Sequence, residues 1–294
     1  MNRSLTASVI AGLLGGLANV TVTRELLERV GSPFFEPGRE TALNPATIGS
    51  VADAPHVWLG VFALGFVPLF ATTATRLLAP AGGFAALLVG VVHTVLTAPF
   101  PEETPMLWGA LVEGPFYASN YAKSWYAWLS LLLVAGVAEF ALRRGYGLGN
   151  ERLQHLPTLP LSRSQLRAVV LGSGLLVGLG IGLLSSTGAY YQSDIWTVLT
   201  ILVPGCIATA IALTALLTRG LVTPMALYTY WTASIVEGTV FPPQPSPERH
   251  AHPEVLFCFL SVALSLLALL EWRLRSRVRG WDGGPFAGRT DTVK

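Results

Sequence analysis

The chain of 294 residues carries little charge. Only 12% of its residues are Asp, Glu, Lys or Arg, whereas soluble domains carry about 25%. Hydrophobic residues make up 52% of the chain, and the mean hydropathy is +0.54. The formal net charge of +2 provides no excess of basic residues for binding a phosphate backbone. We therefore expect the lipid bilayer to be the main surroundings of the protein, and we expect no nucleic-acid partner.

Cysteine is also scarce, and familiar catalytic motifs are missing. Cys206 and Cys258 both lie in apolar segments and form no CxxC pair, which argues against dithiol redox chemistry and a zinc ribbon. We expect both to be structural thiols. The chain contains no H-E-x-x-H, no G-x-S-x-G and no Walker P-loop, so no motif indicates an enzyme class.

Long apolar segments dominate what is present. A membrane-spanning helix needs about 20 mostly apolar residues. Eight segments meet this length, at about 5–23, 56–78, 82–100, 124–142, 168–187, 195–217, 221–241 and 254–272. We predict an all-α integral membrane protein with about eight transmembrane helices. Between the third and fourth helices, residues 101–123 suggest an interfacial re-entry or a short amphipathic helix.

The basic residues are distributed unevenly among the loops. If the N-terminus is cytoplasmic, fourteen of the 19 Lys and Arg residues fall on the cytoplasmic side, as the positive-inside rule requires. We predict a cell-membrane protein with both termini in the cytoplasm. The last helix ends in Arg273, Arg275, Arg277 and Arg279, a cluster that either anchors the topology or attracts anionic lipid.

The two halves of the chain resemble each other. GLLGGLA at 12–18 resembles GLLVGLG at 174–180, and AEFALR at 138–143 resembles LEWRLR at 270–275. Because four helices is an even number, we predict two parallel four-helix repeats. The predicted units are a first repeat at 1–145, a cytoplasmic linker at 146–166, a second repeat at 167–279 and a cytoplasmic tail at 280–294.

Three finer expectations follow from this organisation. Small residues at every fourth position in the first and fifth helices predict that these two helices pack together. Glu139 and Glu271 should form i,i+4 ion pairs with Arg143 and Arg275. The glycine-rich tail should be disordered.

Ionisable residues near the outer ends of two helices are the sharpest functional candidates. Each half leaves the membrane at a Phe-Pro pair, Phe100-Pro101 and Phe241-Pro242. Counted from these pairs, Glu237 replaces Leu96 of the first half, and His93 corresponds to Ser234. A carboxylate within the bilayer costs about 2.5–3.5 kcal/mol on insertion scales.

We therefore predict that Glu237 and His93 converge on an outward-facing polar vestibule. Its other lining residues would be Ser234, Tyr230 and Thr97. The alternative is that Glu237 reaches the outer interface while His93 bonds to a backbone carbonyl.

A second set of residues has the chemistry of metal ligands. It comprises His250, His252, Glu254, His56 and Asp53, all predicted on the outer side. Imidazole and carboxylate ligands suit Zn, Cu or Fe, so a divalent metal is the cofactor that this pattern would indicate. Outer loops collect polar residues for other reasons, and a solvated or hydrogen-bonding role is the alternative.

Three classes of function remain after these exclusions. The first is a small-molecule or ion permease-like protein that uses the vestibule. The second is a non-enzymatic accessory or structural subunit that binds membrane-protein partners through its helix faces. The third is an outward-facing, metal-dependent membrane enzyme. The surroundings of Glu237 and His93 separate these hypotheses.

Overall fold

A computed structural model describes residues 3–31, 55–99, 102–106, 109–113, 116–186, 195–241, 253–279, 281 and 283–287. Its helices are α1 (Arg3–Gly31), α2 (Pro55–Thr75), α3 (Ala79–Thr97), α4 (Tyr117–Lys123), α5 (Trp125–Tyr146), α6 (Arg163–Ser186), α7 (Ile195–Arg219), α8 (Thr223–Val240) and α9 (Pro253–Arg279). Short 3₁₀ turns occupy Asn150–Arg152 and Gly284–Ala287.

Each of the eight segments predicted to be helical forms a long helix. Seven of these helices, within the described ranges, are long and apolar enough to cross a membrane, which confirms a helical membrane protein. The exception is α8, whose 18 residues include two tyrosines and Glu237. Its polar content separates it from the other seven.

The connection between α3 and α5 differs from the prediction. Strands β1 (Glu102–Met106) and β2 (Gly109–Glu113) form an antiparallel hairpin, in which Thr104 lies opposite Leu111. The short helix α4 follows, and its Asn120 Nδ2 donates a hydrogen bond of 3.1 Å to the Val240 carbonyl of α8. A short helix was therefore predicted correctly, but the hairpin before it was not.

Glycine determines the two most extensive helix contacts, which join α1 to α2 and α6 to α7. A Cβ on Gly15 would lie 2.7 Å from the Gly65 carbonyl oxygen, and a Cβ on Gly178 would lie 2.6 Å from the Leu202 carbonyl oxygen. Only glycine allows backbones to approach this closely. The predicted pairing of the first and fifth helices, α1 and α6, is therefore wrong, because each uses its glycine face on its own neighbour in sequence.

Helix α5 packs against helices from both halves of the chain. It packs on α2 and α3 on one side and on α6 on the other. A Cβ on Gly180 of α6 would lie 3.3 Å from Ala127 Cα of α5. The buried side chains Val134 and Phe140 of α5 belong to the same apolar cluster as Val177 and Ile181 of α6, so one core joins both halves.

The C-terminal segment packs against one end of this core. Phe286 is only 2% exposed and lies between Gly145 at the end of α5 and Gly220 in the α7–α8 turn. The Trp281 indole nitrogen donates a 3.0 Å hydrogen bond to the Arg219 carbonyl. The predicted disorder is thus wrong for 281 and 283–287, because these aromatic side chains supply the apolar surface that a glycine-rich tail normally lacks.

Candidate functional site

The helices that carry the predicted vestibule residues begin after similar turns. The turn before α3 contains Arg76 at φ 65°, and the turn before α8 contains Gly220 at φ 66°. Each helix then has a proline in its first turn, Pro80 in α3 and Pro224 in α8. Proline suits this position because an N–H group here would have no acceptor within the helix, so its absence costs no hydrogen bond.

A carboxylate caps each of these two helix starts. Glu139 of α5 accepts a hydrogen bond of 2.5 Å from the Ala79 amide, and Glu271 of α9 accepts one of 2.9 Å from the Thr223 amide. The expected ion pairs are present, since Arg143 lies 2.7 Å from Glu139 and Arg275 lies 2.6 Å from Glu271. The capping role was not predicted, because it depends on which helices are neighbours.

The capped starts place His93 and Glu237 at matching positions. Each lies fourteen residues after the first residue of its helix, about 21 Å along the axis at 1.5 Å per residue. The predicted correspondence of Glu237 with Leu96 and of His93 with Ser234 is therefore displaced. The Phe-Pro pairs misled it, because α3 ends three residues before Phe100, while Val240, the last residue of α8, directly precedes Phe241.

The vestibule candidates lie on the outer surface of the bundle. His93 and Thr97 are exposed on α3, and Ser234 and Glu237 are exposed on α8. Tyr230 of α8 is 71% exposed. Among the described residues, α3 and α8 are not one of the extensively packed helix pairs, and the side chains of His93 and Glu237 are both exposed.

Small residues lie beside these polar groups without contributing to internal packing. A Cβ added at Gly82 or Gly90 of α3 would have no atom within 4 Å, and the same holds at Gly238 of α8. We define the α3 face as Gly82, Gly90, His93 and Thr97, and the α8 face as Tyr230, Ser234, Glu237 and Gly238. On α3, the exposed residues next to this face include the aliphatic Val89 and Leu96.

The predicted metal ligands are only partly covered by the structure. His250, His252 and Asp53 lie outside the described residues. His56 is the second residue of α2, and Glu254 is the second residue of α9. Among the residues that the structure describes, no group of three or more His, Cys, Asp or Glu could hold a metal ion. The metal hypothesis stays a prediction.

A buried polar network was missed at the sequence level. Asn19 of α1 is fully buried. Its Nδ2 donates a hydrogen bond of 2.7 Å to the Val61 carbonyl, and its Oδ1 accepts one of 2.8 Å from the Tyr121 hydroxyl. Burial raises the pKa of Tyr121 above its usual value, so the phenol stays a hydrogen-bond donor. In the second half, the hydroxyls of Thr209 and Tyr228 lie 2.8 Å apart. An asparagine within an apolar segment was the available signal.

Comparison of the chain with protein-family models, curated proteins and solved structures gives no match in any of the three.

Proposed function

We propose that the protein is a non-enzymatic subunit of a membrane assembly, which docks membrane helices of a partner on its α3 and α8 faces. The observation that carries this proposal is that His93 and Glu237 are both exposed, each fourteen residues after the first residue of its helix. Ionisable residues within membrane spans almost always face protein or water rather than lipid. A partner helix would provide that protein surface.

The small residues on the same faces support helix docking. Helix association in lipid depends on close backbone approach and on interhelical hydrogen bonds. Gly82, Gly90 and Gly238 leave open space beside them, and Ser234 and Glu237 offer polar atoms next to it. Within the chain, the glycines that have close neighbours, such as Gly15 and Gly178, already bring helices together.

The assembly proposal includes a topology of eight spans in two parallel repeats. Helix α8 would be the eighth span, since 18 residues extend about 27 Å, close to the hydrocarbon thickness of about 30 Å. The repeat is supported by the paired contacts α1–α2 and α6–α7 and by the matching Glu139 and Glu271 caps. Positive-inside orientation would place the arginine-rich end of the bundle in the cytoplasm.

The permease hypothesis is less well supported by this geometry. A transport path through the chain would need His93 and Glu237 to share a polar cavity, whereas each lies on its own outward face. Such a path would require a second chain to enclose it. The subunit hypothesis needs only that a partner covers these faces.

Site-specific photocrosslinking in native membranes tests the proposal. A benzophenone amino acid would replace Tyr230, which is 71% exposed on the α8 face, or Phe259, which is 69% exposed on α9. The two positions are matched in exposure and in aromatic character. We expect a discrete protein adduct from position 230 and none from position 259. Absence of a protein adduct at 230, or equal adducts at both positions, would contradict the proposal.

A further inference from the structure

We infer that a groove between α7 and α9 binds one anionic phospholipid. The groove has a volume of about 510 Å³, within the 300–1,000 Å³ typical of ligand sites. It lies at the arginine-rich end of the bundle, the end at which α3 and α8 begin, away from His93 and Glu237. Its lining includes Ala210, Thr214, Thr218, Arg219, Leu269 and Trp272.

The groove combines an apolar channel with a cation at one end. Ala210 and Leu269 belong to helices that are apolar enough to cross the membrane, so the channel lies along the hydrocarbon region. Arg219 is the last residue of α7, and its guanidinium carbon lies 4.9 Å from the Trp272 ring centroid. Tryptophan and arginine together are typical of the boundary between acyl chains and headgroups.

The charge of Arg219 is available for a ligand. Its side chain is exposed, and no carboxylate in the described ranges forms an ion pair with it. Arg273 is also exposed and follows Leu269 by four residues, so it continues the same helix face one turn beyond the groove. Two cations thus flank the end of an apolar channel.

Arg275, by contrast, is used within the protein. It lies 2.6 Å from Glu271 and donates a 2.7 Å hydrogen bond to the Tyr146 hydroxyl. The arginine cluster predicted to attract anionic lipid is therefore divided, because Arg275 fastens the end of α9 whereas Arg273 faces outward. From that cluster, Arg273 joins Arg219 of α7 at the groove.

An anionic phospholipid is the occupant that fits both features. An acyl chain matches the apolar channel and is the solvent of this region of the protein. The phosphate of a headgroup without a compensating ammonium complements Arg219 and Arg273. A zwitterionic lipid would place a positive charge beside these cations, so we expect selectivity for net negative headgroups.

Native mass spectrometry of the full-length protein in mild detergent tests this inference. The probes are phosphatidylglycerol and phosphatidylcholine with the same acyl chains. We expect one tightly held phosphatidylglycerol and weaker phosphatidylcholine binding. Arg219→Ala should weaken phosphatidylglycerol binding about fivefold, the equivalent of about 1 kcal/mol for one basic side chain near an anionic surface. Ala268→Phe, which narrows the groove lined by Ala268, should remove the bound lipid without removing a charge.

Arg167→Ala is the matched control, since Arg167 is exposed near the start of α6 at the same end of the bundle and lines no part of the groove. We expect it to bind phosphatidylglycerol as the unaltered chain does. Equal binding of the two lipids, an equal loss in Arg167→Ala, or full binding in Ala268→Phe would each overturn the inference. The melting temperature of every variant is measured in parallel, so that a fall in binding counts only for folded protein.

Discussion

The Glu271 carboxylate holds the start of α8, because its Oε2 lies 2.9 Å from the Thr223 amide nitrogen. Its other oxygen accepts a 3.2 Å hydrogen bond from the Val222 amide. The first amides of a helix lack partners within the helix, and a negative charge there also suits the helix dipole. Glu271 therefore fixes where α8 begins and, with it, the direction in which Tyr230 and Glu237 point.

Replacing this cap should destabilise the protein. In Glu271→Ala the two amides and Arg275 lose a charged partner, and we expect the free energy of unfolding to fall by about 2 kcal/mol, as for hydrogen bonds to charged groups. Unfolding of the purified protein in detergent measures it. Glu28→Ala is the control, because the Arg24–Glu28 pair is exposed and exposed pairs contribute about 0–1 kcal/mol. Equal losses in both variants would contradict a capping role.

The buried network around Asn19 gives a second prediction. Tyr121→Phe removes the hydroxyl that donates to Asn19 Oδ1 and leaves that buried oxygen without its partner. We expect a loss of about 2 kcal/mol in the free energy of unfolding, within the range for an unsatisfied buried polar group. Tyr230→Phe removes the same hydroxyl from a side chain that is 71% exposed, and it should change stability by less than about 0.5 kcal/mol. Equal changes in the free energy of unfolding in both variants would show that the network does not stabilise the protein.

The helices could be predicted because length and apolarity suffice to mark a membrane span, and even the less apolar α8 was found this way. Their partners could not be predicted. The glycine spacing of α1 and α6 identifies a face of each helix but not the helix that meets it. The capping roles of Glu139 and Glu271 and the Asn19–Tyr121 bond join residues from 48 to 102 positions apart.

The position of His93 relative to Glu237 shows the same limit. Counting from the Phe-Pro pairs displaced the two halves, whereas counting from the capped turns aligns these residues. The hairpin was missed because its strands are five residues each, and one of them contains Pro105, a residue that argues against a strand.

Docking of the C-terminal segment should depend on Phe286. Phe286→Ala removes a ring that is 2% exposed, a change that costs about 3–5 kcal/mol in protein cores. We expect the segment at 281–287 to detach, with faster amide exchange there and little change in the core of α5. Pro285→Ala alters the neighbouring, exposed residue and should leave exchange as it was. Exchange that is unchanged in Phe286→Ala would show that the ring does not hold the segment.

Two glycines of α6, Gly178 and Gly172, provide a matched pair of alanine substitutions. A Cβ on Gly178 would lie 2.6 Å from the Leu202 carbonyl oxygen of α7, a backbone atom, whereas a Cβ on Gly172 would have no atom within 4 Å. Gly178→Ala should therefore separate α6 from α7 and lower the free energy of unfolding by about 1–3 kcal/mol, the usual cost of overpacking.

Gly172→Ala makes the same chemical change about 1.7 turns away on the same helix. Alanine favours the helix by about 0.8–1.0 kcal/mol relative to glycine, and with no atom in its way this variant should be as stable as the unaltered chain or more stable. Both free energies are measured by unfolding in the same detergent. The test is whether the two variants change the free energy of unfolding in opposite directions, because intrinsic helix preference alone would make both more stable. Only close contact between the backbones of α6 and α7 makes the two differ, and two variants that are equally stabilised would refute this account of how those helices pack.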